Sequence, residues 1–498
     1  MRLTRRSIAL LTVCALGATA CKTDLTGINT DPNNPTSAPA STLFTQATVN
    51  AVGRFAGAGQ LSGTSLFAQH LAQVQYVEED RGRLRTETID GWFSNAYVSE
   101  LKDYQKVIEQ GDSAKATNIS GPAQVMQTWV FQNMTDYWGD IPYSEALKVD
   151  QGGPLKPKYD PQKDIYYGLL KTLADASTAM RTPSGTALGA ADPIYKGDAA
   201  KWVKFANSLR ARLAMRISKA DPGKAATELA AALSAPGGVM TSNADNAVLA
   251  WPGDGVFNNP YSDNFATRDD HRVSKTLLDT MNVLQDPRVK IYAQPTKADP
   301  TVYAGLQNGL DNVTVTPFFN TTSRIGAVFY PGATVYGTFG TAAGKQTPSV
   351  LMTVAEVEFI QAEMLERGIP GATGTAKSHY DAGVTASITQ WGGTAADAAA
   401  YLARPGVAYT PGATGLRQIG LQKWISMFTQ GTEAWSEWRR TGNPASVKMG
   451  PKAYPDVPEI PRRILYPSNE QTVNAEKLNE AIARQGPNTY LTRFWWDK

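Results

Sequence analysis

Tyr159–Ala176 reads YDPQKDIYYGLLKTLADA and Gly197–Ser218 reads GDAAKWVKFANSLRARLAMRIS. The first opens on Asp160-Pro161, which predicts a helix start. A side chain able to cap is followed by a proline at the first helical position, where its missing N–H costs nothing. From Pro161 to Met180, and again from Ala199 to Ile217, apolar residues recur at steps of three and four. Leu209, Leu213 and Ile217 continue one stripe of the second helix, while Arg210, Arg212 and Arg216 fall elsewhere on its surface. The two stretches predict a helical hairpin.

Outward from this pair the pattern repeats. Trp92, Tyr97, Leu101, Tyr104 and Ile108 make one stripe, answered by Val125, Trp129, Phe131 and Met134 in the next segment. Val354–Leu365 pairs with Ala376–Trp391, and Leu416–Phe428 with Thr432–Arg440. Ser41–Phe55 and Leu61–Tyr76 carry the same periodicity upstream. Recurring helix pairs predict an all-α chain of tetratricopeptide-like hairpins forming a superhelical scaffold. Insertions rich in Gly, Pro and Asn prevent a clean tandem. The largest, about Ala293 to Pro348, has little helical pattern, and loops of that length are commonly functional. Its aromatics Tyr303, Phe318, Phe319, Phe329, Tyr330 and Tyr336 argue against disorder.

The N-terminus reads MRLTRRSIALLTVCALGATAC. Arg2, Arg5 and Arg6 form a basic region, and Ile8–Ala20 is apolar or small but short of the roughly 20 residues a permanent span needs. Residues 1–20 read as a signal peptide. Ala18-Thr19-Ala20-Cys21 resembles a lipobox, with Ala18 where such motifs prefer leucine, so Cys21 is the expected lipid attachment site and new N-terminus. An ordinary peptidase site after Ala20 is the other reading. Residues 21–40, with Asp31-Pro32-Asn33-Asn34-Pro35-Thr36, read as a lipidated tether and N-terminal arm, and residues 41–498 as the α-helical body, long enough for two or three domains.

Cysteine occurs twice, at Cys14 and Cys21, which excludes a disulfide framework in the exported chain. His70, His271 and His379 lie far apart without metal-ligand spacing, so no metal or other cofactor is expected. Lys and Arg total 48 against 45 Asp and Glu, and the three leader arginines account for the difference. A neutral chain gives no electrostatic basis for nucleic-acid binding.

Eight segments together resemble the SusD/RagB family, in its SusD-like nutrient-binding branch. They are DPNNPT (Asp31–Thr36), TDYWGDIPYSEAL (Thr135–Leu147), the two opening stretches, RVSKTLLDTM (Arg272–Met281), PSVLMTVAEVEFIQAEMLERG (Pro348–Gly368), EAWSEWRRTGNP (Glu433–Pro444) and IPRRILYPSNEQTVNAEKLNEAI (Ile460–Ile482). The resemblance implies four tetratricopeptide-like hairpins with long irregular loops carrying the ligand face. It also implies a lipoprotein facing the cell exterior from the outer membrane. Such a protein captures oligosaccharide or peptide for a SusC-like TonB-dependent transporter and performs no chemistry. The implied ligand face includes the loop before the first strong hairpin and the later long insertion.

Sugars pack C–H groups on flat rings and satisfy hydroxyls with planar amides, carboxylates and guanidinium groups. Two stretches outside clear helices offer that mixture, Trp251 to Tyr261 and Phe329-Tyr330 on to Tyr336, and Tyr76 to Trp92, at the start of the first strong hairpin, is a third. The candidate ligand residues are Tyr76, Arg81, Trp92, Trp251, Asn258, Tyr261, Phe329 and Tyr330, with core packing the competing role for each aromatic. Asp136, Asp140 and Glu145 are the acids a glycoside hydrolase would need, but a turn in which they cap backbone amides explains them better. Glu433, Trp435, Glu437, Trp438, Arg439 and Arg440 read as packing and ion pairs between helices, with Trp435 as a stacking platform the alternative. An envelope scaffold without small ligand is the second functional class, and a glycosidase the third.

Overall fold

The computed structural model describes residues 38–330, 334–335 and 342–498. The signal segment, Cys21, most of the arm and Tyr336 lie outside the described residues. The helices are α1 Ala40–Phe55, α2 Thr86–Asn95, α3 Lys102–Ser113, α4 Thr117–Trp138, α5 Gln162–Met180, α6 Ala199–Arg216, α7 Pro222–Leu233 and α8 Pro260–Thr267. There follow α9 Lys275–Leu284, α10 Val354–Arg367, α11 Ala376–Gln390, α12 Ala395–Leu402, α13 Ala413–Ser426, α14 Gly431–Thr441 and α15 Ala475–Gln485, besides shorter turns. The strands are β1 Leu71–Gln73, β2 Ile141–Pro142, β3 Tyr159–Asp160, β4 Ala247–Leu249, β5 His271–Val273, β6 Thr334–Val335, β7 Ala342–Ala343 and β8 Ser349–Met352. Among the described residues they pair two by two and antiparallel: β1 with β5, β2 with β3, β4 with β8 and β6 with β7.

The all-α expectation holds, and the four hairpins are α3/α4, α5/α6, α10/α11 and α13/α14. The first two stack through α4 on α5, and α10 joins the halves by packing on both α6 and α13. Phe44, Trp129, Trp202, Leu213 and Trp435 belong to one continuous core. Its rings meet edge to face, as Phe44 does with Tyr104 at 5.9 Å and Trp202 at 6.1 Å.

Because α6 is covered by α5, α7 and α10, its arginine side is buried as well as its leucine stripe. Arg212 meets Glu356 and Arg216 meets Glu433, each at 2.5 Å. Charges removed from water need such partners, since an unpaired one costs several kcal/mol. In α14, Trp435 is fully buried, donates its indole N–H to the Pro461 carbonyl at 2.8 Å, and carries the Arg439 guanidinium 3.5 Å above its ring. The packing role read from the sequence is the one observed.

Two local expectations fail. Leu61–Tyr76 is α-helical only at Thr64–Phe67, after a 3-10 turn that ends at Ser62. Gln69 turns into the left-handed region (φ 53), and Leu71–Gln73 leaves to pair with the distant His271–Val273. Asp160 does not cap α5, and Pro161 stands just before that helix rather than inside it. Asp160 lies in β3, and its carboxylate accepts from the amides of Tyr143 (3.1 Å) and Ser144 (2.7 Å). The first amide of α5, that of Gln162, donates instead to Asp140 at 2.8 Å. Among the described residues no helix is long and apolar enough to cross a membrane.

Candidate functional site

After β1 the chain reaches Tyr76 on a left-handed backbone (φ 55), which costs a non-glycine residue on the order of 1 kcal/mol. The ring is 55% exposed. Beneath it Ala72, Val74, Val77, Leu306, Leu310 and Val315 form a small core of their own, with Phe319 packed against it. The loop after β1 is thus fastened onto the long insertion. Tyr76 and Phe319, with Gln75, Asn312, Thr316 and Val74, line an open hollow of about 600 Å³. The Arg268 guanidinium lies 5.3 Å over the Tyr76 ring, and that of Arg272 lies 4.7 Å over Phe319. Arg272 is held by Asp269 at 2.9 Å and donates to the Phe319 carbonyl at 2.8 Å.

Asp80 is the fastener. Its carboxylate accepts from Asn308 Nδ2 (2.6 Å) and from the amides of Gly309 (3.0 Å) and Gln73 (3.3 Å). Burial pushes this carboxyl up to about 7, against the pull of those hydrogen bonds.

The other sequence candidates divide. Arg81 donates Nε–H to the Lys452 carbonyl at 2.6 Å and stacks 4.1 Å over Tyr454, turned to the C-terminal segment. Trp92, Trp251 and Asn258 share a second hollow of about 510 Å³ with Phe257, Asn50 and Arg54. Trp251 is 6% exposed and donates to Ser349 Oγ at 3.0 Å. Tyr261 and Phe329 pack inside the core, their ring centres 5.8 Å apart. Tyr330 stacks on Phe265 at 4.9 Å, and burial pushes its phenol up to about 12. Sequence reasoning noted Phe319 as an insertion aromatic but not as a site residue. Gln75, Asn312 and Thr316 were missed, and no local signal marks them.

The acids of the 136–145 turn are engaged structurally. Asp136 is fully buried against Tyr166 Oη and near Arg216. Asp140 joins Arg484 at 2.6 Å besides receiving the Gln162 amide, and Glu145 accepts from the Lys158 amide at 2.9 Å. Asp140 and Glu145 thus cap backbone amides as a turn requires, whereas Asp136 lies within α4 and joins the buried ion pairs.

A SusD-like family model, described as starch-binding and associating with the outer membrane, matches residues 32–467. The chain belongs to the SusD-like family. Solved structures of other SusD-like proteins superpose along nearly all of it. A chitin-binding protein is 29% identical, with TM-score 0.78, covering 92% of this chain and 100% of its own. A chitin-binding SusD homolog from Flavobacterium johnsoniae is 26% identical, with TM-score 0.80, covering 92% and 98%. A SusD homolog from Bacteroides uniformis is 25% identical, with TM-score 0.79, covering 93% and 100%. No curated protein matches the chain. The SusD-like assignment supports a nutrient-binding role at an outer membrane and is in keeping with a binding protein rather than an enzyme.

Proposed function

We propose that this protein captures a neutral oligosaccharide in the Tyr76–Phe319 hollow and passes it to a SusC-like TonB-dependent transporter. It would do so from the outer surface, held there by lipid on Cys21. The observation that carries the reading is the exposed Tyr76 ring, set on an unfavourable backbone beside a second ring and three uncharged polar side chains. Rings supply faces for sugar C–H groups, while Gln75, Asn312 and Thr316 supply donors and acceptors for hydroxyls. The guanidinium groups over the rings are already paired, Arg268 with Asp270 and Arg272 with Asp269, which suits a neutral ligand that must be released onward. The SusD-like family and the chitin-binding names of two neighbours favour carbohydrate over peptide.

Calorimetry of the chain from Lys22 onward against chitin and starch oligosaccharides tests this. Selective binding that is lost in Tyr76→Ala and Phe319→Ala is expected. Retained affinity in both variants would move the site elsewhere. Co-purification of a TonB-dependent transporter with the tagged full chain tests the delivery step.

A further inference from the structure

The second hollow stands at the other end of α8 from the first. Pro260, the first residue of α8, lines the Trp251–Asn258 hollow. Arg268, immediately after its last residue, covers Tyr76. Eight helical residues rise about 12 Å. The inner side of α8, with Tyr261, Ser262 and Phe265, is buried, while Asp263, Ala266 and Thr267 are exposed. The two hollows therefore lie at opposite ends of one helix that keeps part of its surface exposed.

The loop entering α8 is fixed by its own hydrogen bonds. The Asp254 carboxylate accepts from the amides of Val256 and Phe257 at 2.8 Å each, and the Gly253 amide donates to the Phe257 carbonyl at 2.9 Å. Asn258 Oδ1 accepts from the Gly255 amide at 3.0 Å, and its Nδ2 donates to Asp263 at 2.9 Å. This bracing holds Phe257 at the rim, 44% exposed. Keeping so much of an apolar ring in water forfeits burial worth up to ~1.5–3 kcal/mol. Opposite it are the carboxamides of Gln46 and Asn50 and the guanidinium of Arg54, the last already paired with Glu100 at 2.8 Å. A presented ring facing planar amides is the same chemistry as in the first hollow.

We infer that the Phe257–Asn258 hollow is a second carbohydrate subsite, and that the two hollows are the ends of one track along α8 that selects extended oligosaccharides over short ones. The inference rests on the proposed capture of oligosaccharide at Tyr76. A chain anchored at one end presents its other end to the second subsite at high effective concentration, so affinity rises with length until both are filled.

The test is calorimetry of wild type, Phe257→Ala, Asn258→Ala and Tyr76→Ala with length series of chitin and of starch oligosaccharides. For the wild type, affinity should climb with length and then level off. In Phe257→Ala the loss should grow with length, reaching about tenfold for the longest chains. Asn258→Ala should show the same trend, and Tyr76→Ala should weaken every length. Losses in Phe257→Ala that are equal at all lengths, or absent, overturn the track and leave capture at Tyr76 standing. Binding lost in Phe257→Ala but kept in Tyr76→Ala overturns both, as does a wild type that binds no length.

Discussion

In the hairpin layer, Arg439 lies 3.5 Å over Trp435 and both side chains are buried; on the loop face, Arg268 lies 5.3 Å over a Tyr76 that is 55% exposed. The residue chemistry is nearly the same, and the surroundings reverse its role. Around α14 buried charges share partners: Arg440 pairs with Glu363 at 2.6 Å and Glu437 at 2.8 Å, and Lys423 with Glu437 at 2.8 Å, while Arg439 donates to the carbonyls of Asp136 and Arg462. Burial works to raise the Glu437 carboxyl, but Arg440 and Lys423 outweigh it and hold the group well below the usual range. Such a network tolerates no loss of a member. On the loop face the rings stand at the margin of a small separate core, where removing one should leave the scaffold intact. A dense run of tryptophan and arginine in this sequence thus marks architecture, and among the loop aromatics Tyr76 stays exposed while Tyr261 and Phe329 join the core.

The contrast can be broken from either side. Arg440→Leu should cost about 3–5 kcal/mol in chemical denaturation, because Glu363 and Glu437 lose their shared cation. A cost below ~1 kcal/mol would show that water enters the hairpin layer. Tyr76→Ala should do the opposite. It should leave stability within about 0.5 kcal/mol while lowering glycan affinity about tenfold, or ~1.4 kcal/mol. Unfolding of that variant would make Tyr76 a structural ring like Trp435.

The Asp80 fastener sharpens the comparison through pH. Its carboxyl is pushed up to about 7 when folded, from 3.8 when free in water, so the folded state binds the extra proton between those values. The resulting stabilisation is complete below 3.8 and is lost as pH rises through about 7. The melting temperature of wild type minus that of Asp80→Asn should therefore fall between about pH 5 and pH 8. A difference that does not vary with pH would mean that Asp80 stays charged throughout. The smallest effect is expected for Arg81→Met, which removes a surface guanidinium from Tyr454 and should cost about 0.5–1 kcal/mol of stability. A large loss of glycan affinity in that variant would bring Arg81 back to the ligand.

Two Asp-Pro pairs show how far local sequence reaches. Asp221-Pro222 opens α7 as the rule requires, with the Asp221 carboxylate accepting from the Lys224 amide at 3.0 Å. Asp160-Pro161 carries the same signal, yet Asp160 serves the neighbouring turn and Asp140 receives the first amide of α5. The dipeptide states what is locally possible, and a competing donor or acceptor brought in by the fold decides what is used. The helical periodicity of Leu61–Tyr76 failed for the same reason, since its backbone found partners in β5.

By itself the sequence determined the helical hairpins, because an apolar stripe of helical period must be buried against another one. It also determined the near balance of charge, 48 basic against 45 acidic residues, and the scarcity of cysteine, both of which are sums over residues. Only the tertiary structure decided which aromatics line an open hollow. Tyr76 and Phe319 become neighbours through a small core shared by distant loops, while Tyr261 and Phe329, equally aromatic and equally outside the hairpins, close into the interior. Exposure belongs to the packed chain as a whole, and no run of neighbouring residues encodes it.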